Sequence, residues 1–175
     1  FSEAVDVIVL GEGEATFTDF LDASGPDQWS EVAGLAFVEN GEMVSTNERP
    51  RFRNLNQLPS ALDVISLLDS DGKPYDCIAY ETSRGCPYKC AFCEWGTGAI
   101  GTKMLSFSVE RIHRDWNYIV DAGIKNIWLT DSNFGALKED VDKAKVLCEI
   151  KQRTGLPHTF ATSWSKKHGP RSQEI

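Results

Sequence analysis

The chemistry in this chain is concentrated in one stretch, ETSRGCPYKCAFCEWG (81–96), where Cys86, Cys90 and Cys93 follow one another as CxxxCxxC. Thiolates clustered this closely are metal ligands before they are anything else. Structural zinc takes four closed ligands, typically as two separated pairs. A ferredoxin-type run supplies four cysteines at tighter spacing. Three thiols on one short loop suit a 4Fe–4S cluster with one iron left open, and an open coordination position is what catalysis requires. A zinc site that recruits His113 or Cys77 as a fourth ligand is the alternative. The two other cysteines, Cys77 and Cys148, fall in a strand pattern and on a helix's apolar face, where a small buried hydrophobe is the expected role.

The rest of the composition bounds the setting. Five cysteines in 175 residues are too few for a disulfide scaffold, and an odd number leaves one unpaired. Metal ligation by thiols implies a reducing compartment, so a cytoplasmic location is expected. The formal charge of −8 disfavours a nucleic-acid partner. No apolar run approaches the roughly 20 residues that span a bilayer, and the opening FSEAVDVIVLGEGE has no basic head or cleavage site. No membrane association is expected. The chain opens without Met, which reads as a piece of a longer soluble protein.

Elements must hold the cysteine loop in place. Residues 77–82, CIAYET, read as a strand that delivers the chain into the loop and its glycine-rich tail, GTGAIG. Ser108 caps a helix with Glu110 in its first turn; Val109, Ile112, Trp116, Ile119 and Val120 line one face, and Gly123 ends it. Lys125 to Asp131 form a second strand. Residues 138–153 form a second helix on Val141, Leu147, Cys148 and Ile150. HTFATSW, 158–164, is a third strand. Strand, helix, strand, helix, strand at this spacing predicts parallel strands with right-handed crossovers. Loops after the carboxyl ends of such strands carry chemistry, and a loop of about 25 residues is itself a functional signal. Upstream, VDVIVL (5–10), a Gly11-Glu12-Gly13-Glu14 turn and a helix on Phe17, Phe20 and Leu21 read as a buried strand closing an α/β layer. Residues 33–52 read as a hairpin turning at Asn40-Gly41, and 53–76 as an irregular connector.

CxxxCxxC with Phe92 before its third cysteine resembles the signature of radical S-adenosylmethionine enzymes. The resemblance implies a full or partial (β/α) barrel with this loop after its first strand. It implies that Cys86, Cys90 and Cys93 hold a 4Fe–4S cluster whose fourth iron binds the amino and carboxylate groups of S-adenosylmethionine. Reductive cleavage of the sulfonium then yields a deoxyadenosyl radical that abstracts hydrogen from substrate. Phe92 would line the adenine pocket. Asp131, Ser132 and Asn133 stand where the family's glycine-rich acidic motif holds the amino group, although Gly135 is the one glycine nearby. Capping of the next helix is an equal use for Asp131 or Asn133. Thr162 and Ser163 would reach ribose or carboxylate, or serve as inward-facing structural hydroxyls.

The upstream series VDVIVLGEGEATFTDFL, GLAFVENGEMVS and RPRFRNLNQLPSALD resembles the segment joining a cobalamin-binding Rossmann-like domain to the radical domain in one large subfamily. On that resemblance, 1–32 is the end of a cobalamin-binding domain, with Gly11 and Glu12 near the cofactor. Residues 33–76 are hairpin and connector, and 77–175 the first three βα units of the barrel. Cys93-Glu94-Trp95-Gly96 is similar to members that methylate unactivated carbon, which places Gly96 at the cofactor. The implied reaction is methyl transfer from methylcobalamin to a small-molecule or peptide substrate, with a flavodoxin-type electron donor. A radical cyclase or oxidoreductase of the same architecture, and a non-catalytic zinc module, are the rivals.

Overall fold

The computed structural model describes residues 5–97, 101–167 and 169–175, so part of the glycine-rich tail lies outside the described residues. The chain divides into two compact units, Phe1–Arg53 and Asn54–Ile175.

In the first unit β1 (Val7–Val9) leads through a turn at Gly11 into α1 (Gly13–Asp22), and the hairpin β2 (Leu35–Glu39) and β3 (Glu42–Ser45) follows. The hairpin turns where expected. Asn40 and Gly41 have φ of 51° and 83°, the positive pair that a right-twisted two-residue hairpin demands. The sheet order is β1-β2-β3, and β1 runs antiparallel to β2 with Val9 opposite Leu35. The hairpin thus shares a sheet with β1, which completes its ladder on it. β1 is also less buried than its β-branched sequence suggested: Ile8 is 41% exposed. The core of this unit is Val32, Leu35 and Phe37, with Phe20 and Trp29 packed on them. Of the expected helix face, Phe20 packs inward, whereas Phe17 and Leu21 are exposed and Thr16 is buried in their stead.

The second unit carries a parallel sheet in the order β4-β7-β8, formed by Cys77–Tyr80, Asn126–Leu129 and Thr159–Ala161. β4 and β7 pair with Tyr80 beside Leu129, and β7 and β8 with Ile127 beside Phe160. Two helices connect these strands, α2 (Val109–Asp121) and α3 (Glu139–Thr154), and they pack on each other. A short helix, α4 (Pro170–Glu174), follows β8. Ser108 caps α2 by accepting from the Arg111 amide, and Gly123 follows its last turn at φ 86°. Ile112, Trp116, Ile119 and Val120 are buried on its inner face, each contributing about 1.5–3 kcal/mol of transfer free energy. Trp116 meets Tyr80 and Phe160 edge to face, and Phe160 meets Phe134. Beside this stack Asp115, 2% exposed, accepts from Tyr80 Oη at 2.8 Å and Ser60 Oγ at 3.0 Å. Burial first, and the Asp115 hydrogen bond second, push the Tyr80 phenol above its ordinary range.

Two expectations fail here. Cys77 and Cys148 are both exposed, not buried. On α3 the buried face is Asp140, Lys143, Ala144 and Ile150. That face is rotated away from Cys148 because a buried ion pair takes the place the sequence pattern gives to apolar residues.

Candidate functional site

The cysteine loop leaves β4 and returns to α2, and a short ladder clasps its two ends. β5 (Ser83–Arg84) pairs antiparallel with β6 (Leu105–Ser106), Ser83 opposite Ser106. Phe107 N donates to Thr82 O at 3.0 Å and Cys86 N to Gly101 O at 3.1 Å, closing the neck. The loop is thus a long excursion with a fixed base. Gly85 sits in that base at φ 103°, where a Cβ would collide with the carbonyl oxygen of Lys103. Gly85→Ala is expected to cost about 1–3 kcal/mol, since neither the backbone conformation nor the backbone neighbour can give way. Thermal denaturation of the full-length protein checks it.

Below the base lies a buried polar network that the sequence did not announce. Asp131, 1% exposed, accepts at Oδ1 from the Thr82 and Ser83 amides at 2.6 and 3.2 Å. Its Oδ2 accepts from both of their hydroxyls, Ser83 Oγ at 2.7 Å and Thr82 Oγ1. Thr82 Oγ1 in turn accepts from Lys143 Nζ at 3.0 Å. Lys143 is fully buried and pairs with Asp140 Oδ1 at 2.7 Å, while Asp140 Oδ2 accepts from the Gly135 and Leu137 amides. This network ties the loop base, the end of β7 and the start of α3 together. The available signal was the spacing of 140, 143, 147 and 150, one helix face on which the pair Asp140 and Lys143 precedes the apolar Leu147 and Ile150.

The expected site residues fall into three groups. Cys86 is buried, and Cys90 and Cys93 are half-buried, with Cys93 N donating to Cys90 O at 3.1 Å in the turn between them. All three thiols are free. Ser132 and Asn133 lie against Cys86: Ser132 Oγ donates to Gly85 O at 2.5 Å, and Asn133 Nδ2 donates to Cys86 Sγ at 3.2 Å. Asp131 gives its carboxylate to Thr82 and Ser83, as described above. The second group stands away from these contacts. Phe92 is 90% exposed. Gly96 lies in a one-turn 3₁₀ helix, Glu94–Thr97. Ser163 is exposed, with its carbonyl accepting from Phe134 N, and Thr162 Oγ1 is buried with no partner among the described residues. The third group lies in the first unit. Gly11 takes φ 73°, and Glu12 accepts from Phe52 N at 2.9 Å and lies 3.7 Å from Arg51. Of the alternative zinc ligands, His113 and Cys77 are exposed. Among the described residues no three His, Cys, Asp or Glu side chains converge as ligands of a single ion. A cluster spreads its thiolates over separate irons and asks for no such convergence.

A cleft of about 680 Å³ opens beside the loop, lined by Tyr88, Gly135, Ala136, Ser165 and Lys167 among others. Tyr88 Oη lies 3.4 Å from Ser165 Oγ, and Lys166 Nζ sits 5.0 Å above the Tyr88 ring. No helix among the described residues is long and apolar enough to cross a membrane.

No family model matches the chain. It is 31% identical to the 2-(S-pantetheinyl)-carbapenam-3-carboxylate methyltransferase of Streptantibioticus cattleyicolor, over 98% of this chain and 26% of that protein. It is 28% identical to the cobalamin-dependent radical SAM methyltransferase TokK of Streptomyces tokunonensis, again over 98% of this chain and 26% of the relative. The chain therefore spans about a quarter of the length of these curated relatives. Among solved structures, the radical S-adenosylmethionine methyltransferase TsrM of Kitasatospora setae, with cobalamin and a [4Fe-4S] cluster bound, superposes with a TM-score of 0.56 at 18% identity. That match covers 85% of this chain and 30% of TsrM, and it establishes a mixed α/β fold with a parallel sheet. The likeness in sequence runs through both compact units and includes the three-cysteine loop, so the chain belongs to the radical S-adenosylmethionine enzymes that also use cobalamin.

Proposed function

We propose that this chain supplies the cluster loop of a cobalamin-dependent radical S-adenosylmethionine methyltransferase that methylates an unactivated carbon of a small molecule. The observation that carries the reading is the extent of the likeness: 98% of the chain aligns with two methyltransferases, not the cysteine loop alone. Cys86, Cys90 and Cys93 are the cluster ligands in this reading. The donor set suits them to it: three free thiols on one clasped loop, with a buried amide N–H directed at the first sulfur. When bound, the cluster supplies the electron that cleaves S-adenosylmethionine reductively, and cobalamin supplies the methyl group. The parallel strands β4, β7 and β8 are the opening of a partial (β/α) barrel, and residues 1–32 form the end of the cobalamin-binding region, with Gly11 and Glu12 on its border.

The chain's own residues have defined tasks. Thr82, Ser83 and Asp131 hold the loop base, and Gly85 lets the backbone pass Lys103 closely enough for Cys86 to reach inward. The cleft along Tyr88, Ser165 and Lys167 is where S-adenosylmethionine is taken, with Asn133, Ser132 and Thr162 at the adjoining strand ends. A flavodoxin-type protein is the proposed electron donor, and the cytoplasm the proposed location.

The test is anaerobic reconstitution of the full-length protein with iron and sulfide, followed by reduction in the presence of cobalamin and methyl-labelled S-adenosylmethionine. Label transferred to cobalamin, together with release of deoxyadenosine, is the expected result. Deoxyadenosine with all label retained in methionine points to radical chemistry without methyl transfer. Stoichiometric zinc and no reducible cluster defeats the enzyme reading altogether.

A further inference from the structure

We infer that Asn133 is a positioning residue for the cluster: its side-chain amide donates to the Cys86 sulfur and raises the reduction potential of the centre that sulfur holds. The inference rests on the cluster assignment above. Asn133 is fully buried, and its Nδ2 makes two contacts, with Cys86 Sγ at 3.2 Å and Ser132 Oγ at 3.0 Å. The network fixes which way the amide faces. Ser132 spends its only proton on Gly85 O, so toward Asn133 its oxygen can only accept. Asn133 must therefore turn its NH₂ group to Ser132, and the second hydrogen of that group falls to Cys86. The sulfur is the acceptor in this contact.

The other end of the amide supports the same conclusion. Asn133 Oδ1 is buried with no partner among the described residues. A buried carbonyl left unsatisfied is unfavourable, and a half-turn of the amide would not relieve it, since Oδ1 would then face two acceptors. The side chain is held for its nitrogen end. Reduction adds negative charge to a cluster and its sulfurs, so an N–H directed at a ligating sulfur stabilises the reduced state more than the oxidised one. A buried donor is the more effective because water does not compete with it.

The test uses the full-length protein reconstituted with iron and sulfide, poised against dithionite-reduced mediator dyes and read by electron paramagnetic resonance. Asn133→Leu, close in size and without a donor, is expected to bind the same iron. At fixed poise its reduction equilibrium should fall about tenfold, equivalent to about 59 mV for one electron. Wild-type protein carrying asparagine labelled with nitrogen-15 in the amide should show a weak nitrogen coupling to the reduced cluster in pulsed spectra. This second measurement decides the matter if the Leu variant fails to take up iron. An unchanged potential in a fully loaded Asn133→Leu, or no nitrogen coupling in the wild type, overturns the inference while leaving the cluster assignment intact. A wild type that takes up no reducible cluster overturns both.

Discussion

Cys90→Ala in the full-length protein is expected to give a folded chain that no longer holds a reducible cluster and no longer cleaves S-adenosylmethionine above background. The same is expected of Cys86→Ala and Cys93→Ala. Each thiolate takes its own iron in the proposed arrangement, so no neighbour can stand in for a missing one. Cys90 and Cys93 are half-buried on a turn closed by one backbone hydrogen bond, and neither contributes much packing. Their removal therefore strikes the metal centre and spares the fold, as circular dichroism and iron content measured together would show. Cys86 is buried and also receives the Asn133 amide, so its loss adds a packing cost of about 1 kcal/mol. The internal control is the pair Cys77 and Cys148. Both are exposed, so alanine at either is expected to change stability by less than about 0.5 kcal/mol and iron content not at all. A Cys90→Ala protein that turns over normally, with a full complement of iron, defeats the ligand assignment.

The elements of the second unit were legible because their residues obey simple periods. Ile112, Trp116, Ile119 and Val120 repeat at helical spacing behind a serine cap and before a glycine, and nothing in the tertiary structure opposes that local preference. The Asn40-Gly41 turn was legible for the same reason, as two residues that accept positive φ cheaply. What the sequence concealed is where polar residues go inside. Asp140 and Lys143 lie outside the apolar set Val141, Leu147, Cys148 and Ile150 by which α3 was recognised, and charged side chains are seldom buried. They are buried because each neutralises the other and because the Gly135 and Leu137 amides and the Thr82 hydroxyl complete their hydrogen bonding. No local rule reports such partners, which lie at the ends of two other elements. Strand partnership was concealed similarly: the β-branched run at Val7–Val9 is compatible with a parallel or an antiparallel neighbour, and the choice is made by where the hairpin returns. In the candidate site, the three thiols were visible as a motif. The clasp of β5 on β6 and the Asn133 contact to Cys86 were not, because each joins residues more than twenty positions apart.

Lys143→Met is expected to be the most destabilising single change in the loop's foundation, by about 3–5 kcal/mol. The variant removes a fully buried ammonium and leaves Asp140 Oδ1 and Thr82 Oγ1 without the donor that both now share. In a domain of this size such a loss lowers the melting temperature on the order of 10 °C. Asp131→Asn is expected to cost less, about 1–3 kcal/mol. An amide of the same shape still accepts from the Thr82 and Ser83 backbone, but its NH₂ must then face two hydroxyls, of which Thr82 Oγ1 already accepts from Lys143. The distinctive expectation concerns the two changes made together at the ion pair. Lys143→Met combined with Asp140→Asn should destabilise by less than the sum of the single variants, because the second removes the stranded charge that makes the first so costly. Hydrogen exchange supplies the local reading: in Lys143→Met the Thr82 and Ser83 amides should open before the core amides of α2, since only the former hang from the disrupted network. If the Met variant melted within a degree of the wild type, the loop base would be held by its β5–β6 clasp alone, and the buried ammonium would have some other purpose.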